Sequence, residues 1–157
     1  MTRPLRTASN LRTTLAFCAA LTMSGTPAQA QPADPLAAAA AEPGAVRSES
    51  GLVYRSLREG TGASPLAIDV VRVHYRGTLM DGKEFDSSYK RGSPASFPLT
   101  RVIKCWTEGV QKMKVGGKAQ LTCPASIAYG DRGAGGGEIP PGATLRFEVE
   151  LLGIVNP

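Results

Sequence analysis

The sequence predicts an α+β domain in which several antiparallel strands accompany one short α-helix. Residues 69–80 and 145–151 alternate between apolar and polar side chains, the period of a strand with one buried face. Asp81-Gly82 follows the first of these runs and is a strong hairpin signal. Only residues 102–113 place apolar side chains at helical spacing. Alternating strands with a single helix favour an α+β arrangement over a parallel sheet.

Residues 1–30 have the three-part pattern of a secretory signal peptide. They contain three arginines and no acidic residue, then an apolar run at 15–21, then the small residues Ala28 and Ala30 at the −3 and −1 positions of a cleavage site. The apolar run is too short to span a membrane. We therefore expect cleavage after Ala30 and a periplasmic location. A disordered basic tail is the alternative.

The charge balance argues against a nucleic-acid partner. The full chain has 18 Lys and Arg against 13 Asp and Glu, a net charge of +5. Without the three arginines of residues 1–30, 15 basic residues face 13 acidic ones, a net charge of +2. A nearly neutral protein has no electrostatic footprint for nucleic acid.

The cysteines suggest one disulfide. Cys18 lies in the apolar run, and lipid anchoring there is disfavoured because the large Phe17 precedes it. Cys105 and Cys123 are the two cysteines that remain after cleavage. An even count in an oxidising compartment favours a Cys105–Cys123 bond, with two buried, unlinked thiols as the alternative. Their spacing matches neither a zinc site nor a C-x-x-C redox motif.

Residues 31–49 predict a linker that precedes the folded domain at 50–157. The segment is rich in Ala and Pro and has few large apolar groups, so we expect at most one helical turn in it. It contains no long helical dimerisation arm, which favours a monomer. In the domain, strands are predicted at 52–54, 69–80, 83–86, 97–99, 119–123 and 145–151, with a glycine-rich loop at 130–142. The helix should begin after a Thr100 cap and end before Gly116.

Most catalytic constellations are missing from the sequence. His74 is the only histidine, lies on the polar face of a strand and has no nucleophile elbow to serve. Glu148 and Glu150 share one face of a strand, which is typical of solvated carboxylates rather than an acid–base pair. Aromatic residues are dense near turns, and by residue pattern alone a hydrophobic core explains them.

Several motifs, read in order, resemble the FKBP-type peptidyl-prolyl isomerases over about residues 50–155. These motifs are Val73-His74-Tyr75-Arg76-Gly77, Asp81-Gly82-Lys83-Glu84-Phe85-Asp86-Ser87-Ser88, Val102-Ile103 with Trp106, Glu108-Gly109-Val110 and Met113, then Gly116-Gly117-Lys118, Ala128-Tyr129-Gly130, Ile139-Pro140-Pro141 and Phe147-Glu148-Val149-Glu150-Leu151. The resemblance implies a strongly curved antiparallel sheet, a half-barrel, wrapped around one short helix.

The resemblance also implies peptidyl-prolyl cis-trans isomerase activity during the folding of exported proteins, in an apolar pocket that needs no covalent intermediate, metal or cofactor. The expected partners are proline-containing unfolded or partly folded polypeptides and the macrolide inhibitors of the family. Motif by motif, the implied catalytic residues are Tyr75, Asp86 and Tyr129, and the implied substrate-binding residues are Phe85, Phe97, Val102, Ile103, Trp106, Ile139 and Phe147. Trp106 would form the floor of the pocket, and the Ile103 amide would hold a substrate carbonyl.

The sequence departs from the family pattern at four positions. Ala95 stands where many members have an aromatic wall residue, Cys105 replaces the usual glycine before the tryptophan, and Cys123 takes a strand position that is usually aliphatic. Glu138 adds a charge to the lip, beside Ile139. The first and last departures bear on substrate preference more than on activity.

Two other functions fit parts of the sequence. A binding module of the same fold could act only as a chaperone or adaptor, although the retained Asp86 and pocket aromatics argue against this. A thiol oxidoreductase could use Cys105 and Cys123, but their separation argues against that role.

Overall fold

The centre of the sheet is formed by two long strands, β3 (Val70–Leu79) and β7 (Leu145–Val155), which pair antiparallel from Val70↔Val155 to Leu79↔Leu145. The computed structural model describes residues 34–155. Along β3 the residues Val71, Val73 and Tyr75 are buried, which confirms the predicted alternation.

Seven strands form one open, curved antiparallel sheet in the order β1-β2-β6-β7-β3-β4, with β5 also paired to β3. The predicted fold class is confirmed. The remaining elements are α1 (Pro35–Ala40), β1 (Ala45–Arg47), β2 (Val53–Arg58), β4 (Glu84–Ser87), β5 (Ala95–Pro98), α2 (Lys104–Gln111) and β6 (Lys118–Cys123). Register shifts interrupt the β2–β6, β3–β4 and β3–β7 pairs, and such bulges bend the strands that carry them.

Helix α2 packs its apolar side against the apolar face of the sheet. Trp106 and Val110 are buried at the spacing that the sequence predicted. Gly109 lets the helix approach the sheet closely, because an added Cβ would lie 2.7 Å from the Leu121 side chain. The helix begins later than predicted, after an N-cap at Ile103, while Thr100 belongs to a short 3₁₀ turn.

A disulfide joins the first turn of α2 to the end of β6. The sulfurs of Cys105 and Cys123 are bonded, with their Cα atoms 5.8 Å apart, and both residues are fully buried. This Cα separation is ordinary for a disulfide. The bond therefore holds the helix turn that carries Trp106 to the sheet.

The segment predicted as a linker folds onto the sheet from residue 34 onward. Ala39 of α1 is buried, and β1 pairs antiparallel with β2. The Glu42 carboxylate accepts hydrogen bonds from Arg55 (2.7 Å), Arg146 (2.8 Å) and Gln120 (3.2 Å). These partners lie on strands β2, β7 and β6, so they could not be seen in the composition of the segment itself.

Two sequence predictions concern the ends of the chain. The signal peptide at 1–30 and its cleavage site lie outside the described residues. Between residues 34 and 155, no helix is long and apolar enough to cross a membrane.

Candidate active site

A cavity of about 280 Å³ opens between α2 and the apolar face of the sheet. It is lined by Tyr75, Phe85, Asp86, Phe97, Arg101, Val102, Ile103, Trp106, Tyr129 and Phe147. The structure thus brings together nine of the ten residues that the sequence nominated. The tenth, Ile139, is buried in the hydrophobic core and bridges to Ala134 within its own loop.

The floor and walls of the cavity are aromatic rings packed edge to face. The Trp106 ring lies 5.2 Å from Tyr75, 5.6 Å from Phe97 and 5.5 Å from Phe147 between ring centroids, with interplanar angles of 84–90°. Phe85 meets Phe147 in the same way at 5.6 Å. This geometry is favourable because ring edges carry positive and ring faces negative partial charge. The floor and walls of the cavity are therefore apolar, and their rings support one another.

A bulge in β4 brings two consecutive side chains into the cavity. Gly77 pairs with Asp86 while Thr78 pairs with Glu84, which leaves Phe85 as the extra residue. In a regular strand, neighbours point to opposite faces, but a bulge re-aims them. Gly77 makes room for this arrangement, since a Cβ there would lie 2.6 Å from the Phe85 ring.

The polar rim contains an ion pair between Asp86 and Arg91, and these side chains form hydrogen bonds within the protein. Asp86 accepts one hydrogen bond from the Tyr75 hydroxyl and one from the Arg91 guanidinium. Arg91 also donates to the Tyr75 hydroxyl at 2.9 Å, with its guanidinium carbon 5.5 Å from the centroid of that ring.

The same contacts set the ionisation of the rim. Burial opposes ionisation of Asp86, but the hydrogen bonds from Tyr75 and Arg91 outweigh it, so its pKa lies below the ordinary carboxyl value. Burial and the bond to Asp86 raise the pKa of Tyr75. At neutral pH the rim is a carboxylate, a guanidinium and a neutral phenol.

Two donors at the mouth are left available for a ligand. The Ile103 amide, at the N-cap of α2, donates to no group among residues 34–155. The Tyr129 hydroxyl likewise has no hydrogen-bond partner in the described part of the chain, and its residue is 40% exposed. Burial, with a smaller effect of Asp86, raises the pKa of Tyr129, so the hydroxyl keeps its proton.

Sequence reasoning missed two residues of the site, Arg91 and Arg101. Both are cations in segments read as irregular, and nothing in their immediate neighbours indicates what they face. The only signal in the sequence was weak: Asp86 lies five positions before Arg91, with which it pairs. His74 lies outside the cavity, with its Nδ1 2.9 Å from the Ser88 hydroxyl and its ring stacked on Tyr89. Within residues 34–155, no three His, Cys, Asp or Glu side chains are grouped as metal ligands would be.

Comparison with known proteins finds close relatives. The family model described as FKBP-type peptidyl-prolyl cis-trans isomerase matches residues 62–152. The isomerase FkpA of Aeromonas hydrophila is 55% identical over 122 residues, which cover 78% of this chain and 45% of the relative. The FKBP-type 22 kDa peptidyl-prolyl cis-trans isomerase of Escherichia coli K12 is 55% identical over 108 residues, which cover 69% of this chain and 52% of that protein. The chain thus spans about half the length of these curated relatives.

Solved structures agree with the sequence comparison. The crystal structure of FkpA from Escherichia coli aligns with a TM-score of 0.73 at 50% identity, covering 76% of this chain and 55% of that one. A peptidyl-prolyl cis-trans isomerase from Pseudomonas syringae aligns with a TM-score of 0.72 at 39% identity, covering 78% of this chain and 89% of that one.

Proposed function

Because this chain belongs to the FKBP-type peptidyl-prolyl cis-trans isomerase family, we propose that it accelerates rotation about X–Pro bonds in exported polypeptides as they fold. The observation that carries this proposal is the aromatic cavity around Trp106, with unpartnered donors at its mouth. The substrate class is a proline-containing segment of an unfolded or partly folded chain.

The chemistry asks for desolvation and shape rather than for an acid, a base or a nucleophile. An X–Pro bond resists rotation because nitrogen donates electrons into the carbonyl, and the barrier is about 18–20 kcal/mol. Twisting the bond breaks this donation, so the twisted state is less charge-separated than the planar isomers. Water favours the planar forms by hydrogen bonding to the carbonyl. A cavity that excludes water and fits the twisted imide lowers the barrier selectively.

Each part of the cavity has a proposed role in that scheme. The proline ring would lie over Trp106, between the walls formed by Phe97 and Phe147. The Ile103 amide would hold a substrate carbonyl, since no group in the described chain occupies it. Asp86 and Tyr75 would position the twisted imide through the hydrogen-bonded rim. Tyr129 would donate from the open side as a neutral hydroxyl.

A protease-coupled assay on an Ala-Pro peptide tests the activity. The exported protein, purified without further truncation, should raise the rate of cis-to-trans conversion in proportion to its concentration. A protein whose slow refolding step is X–Pro isomerisation should refold faster in its presence. If the rate equals the uncatalysed one in both assays while peptide binding persists, the domain is a binding module rather than an isomerase.

We further propose that the protein is exported to the periplasm after cleavage between Ala30 and Gln31. Two observations support this: small residues fill the −3 and −1 positions of that site, and the two remaining cysteines are joined as they would be in an oxidising compartment. Mass spectrometry of the exported protein should find an N-terminal Gln31, free or cyclised. A lipid on Cys18 would contradict the proposal.

We also propose that the exported protein is a monomer that the macrolide inhibitors of the family bind in the same cavity. Sedimentation analysis should give the mass of one chain. An inhibitor of this class should compete with a proline peptide for the quenching of Trp106 fluorescence, which is a direct probe because the chain has one tryptophan.

A further inference from the structure

We propose that Arg101 gives this cavity a preference for substrates with an acidic side chain next to the proline. Only the expected preference in kcat/KM rests on the proposed isomerase function; the expected preference in binding does not. It begins from one unexplained feature of the cavity wall. Arg101 lines the cavity immediately before Val102 and Ile103, at the end of the 3₁₀ turn Leu99–Arg101, yet it has no role in the proposed isomerisation.

Arg101 has no internal counter-ion in the described chain. No carboxylate of residues 34–155 lies within ion-pair distance of its guanidinium, which is exposed. The other guanidinium near the cavity, that of Arg91, is neutralised by Asp86. A free cation on a cavity wall attracts whatever anion the ligand supplies.

The rest of the mouth does not cancel this charge. Asp86 already accepts hydrogen bonds from Tyr75 and Arg91, so its carboxylate is committed within the protein. Glu138, which the sequence placed at the lip, is exposed and does not line the cavity. Its carboxylate folds back beside Gly135, 3.3 Å from where a Cβ on that glycine would be. The mouth therefore has an uncompensated positive charge, whereas the sequence had suggested a negative one.

Arg101 lies close to the place where the X–Pro bond of a substrate would be held. Arg101 is two residues from Ile103, whose free amide is the proposed anchor for a substrate carbonyl. A peptide held at that amide brings the side chains that flank the proline close to the guanidinium. Because Arg101 is exposed, the gain is that of a surface ion pair, which corresponds to about a two- to fivefold change in affinity.

The test compares peptides that differ only in charge next to the proline. Two series carry Glu, Gln or Lys, one at the position before the proline and one at the position after it. In at least one series the wild-type kcat/KM should be about two- to fivefold higher for Glu than for Gln, and lower for Lys. The Glu advantage should shrink between about 0.02 M and 0.5 M salt, because salt screens exposed charges.

Variants assign the preference to one side chain. Arg101→Gln should abolish the Glu-to-Gln ratio, and Arg101→Glu should reverse it. Arg47→Gln is the matched control: it removes the same charge from exposed β1, at the opposite edge of the sheet order from β4. A ratio that survives in Arg101→Gln, or that Arg47→Gln lowers equally, overturns the inference.

Measuring peptide affinity without catalysis tests this inference independently of the proposed function. Trp106, the single tryptophan of the chain, lies in the cavity floor, so its fluorescence reports the Kd of each peptide without catalysis. Acid-selective binding without rate acceleration would sustain the inference and refute the isomerase. Acceleration without any charge dependence in Kd or kcat/KM would do the reverse.

Discussion

Replacing Asp86 by alanine is the sharpest test of the proposed mechanism. The substitution removes the acceptor for two hydrogen bonds, those from the Tyr75 hydroxyl and the Arg91 guanidinium. If these bonds hold the rim in the shape that fits the twisted imide, their loss should cost about 1–3 kcal/mol in the transition state. This corresponds to about a five- to 160-fold lower kcat/KM.

The fold should tolerate this change. The Asp86 side chain is 41% exposed and its Arg91 partner 47% exposed, so their ion pair should contribute at most about 1 kcal/mol to stability. Thermal or urea unfolding of the variant should therefore lie close to that of the wild type. Kinetic and unfolding measurements on the same preparation separate a loss of function from a loss of structure.

Glu84→Ala provides the matched control, because Glu84 lies two residues earlier on the same strand. Its carboxylate pairs with Arg76 (2.6 Å) and Lys90 (2.7 Å) outside the cavity. The Glu84→Ala variant should therefore keep wild-type kcat/KM. If folded Asp86→Ala also keeps it, the carboxylate has no part in catalysis, even though the isomerase assignment would stand.

Three further predictions concern stability and pH. Reducing the Cys105–Cys123 bond, which closes a separation of 18 residues, should lower the free energy of unfolding by about 3 kcal/mol in urea titrations; a double alanine variant should be insensitive to reductant, and equal stability with and without the bond would contradict the prediction. Glu42→Ala should lower the free energy of unfolding by about 1–2 kcal/mol. Glu49→Ala, at an exposed position, should leave that free energy unchanged. Burial works against the Glu42 charge, but its arginine and amide partners outweigh burial and lower its pKa, so this contribution should be present at neutral pH and disappear as acid protonates the carboxylate. Finally, kcat/KM should be flat from about pH 5.5 to 9, because the pKa of Asp86 lies below the ordinary carboxyl value and the pKa values of Tyr75 and Tyr129 are raised above the ordinary phenol value; a bell-shaped profile centred near neutrality would indicate a titrating catalytic group.

Much of the fold could be predicted from the sequence because its signals are local. Alternation along β3 and β7 depends only on which residues are apolar, and the apolar spacing of α2 identifies Trp106 and Val110 as buried. The resemblance of its motifs to the FKBP-type family implied nine of the ten residues that line the cavity. These predictions needed no knowledge of what each side chain touches.

The tertiary structure decided what depends on contacts between distant segments. Residues 34–47 looked like a linker because their own side chains cannot form a core, yet Glu42 finds partners on three strands. Ile139 turned inward to the core and Glu138 folded back on its own loop, which left Arg101 as the free charge at the mouth. The bulge that aims both Phe85 and Asp86 into the cavity depends on register with β3. Sequence periodicity shows which side of an element is apolar, but only tertiary packing determines which atoms are in contact. The hydrogen bonds and charges at the rim of this site depend on those contacts.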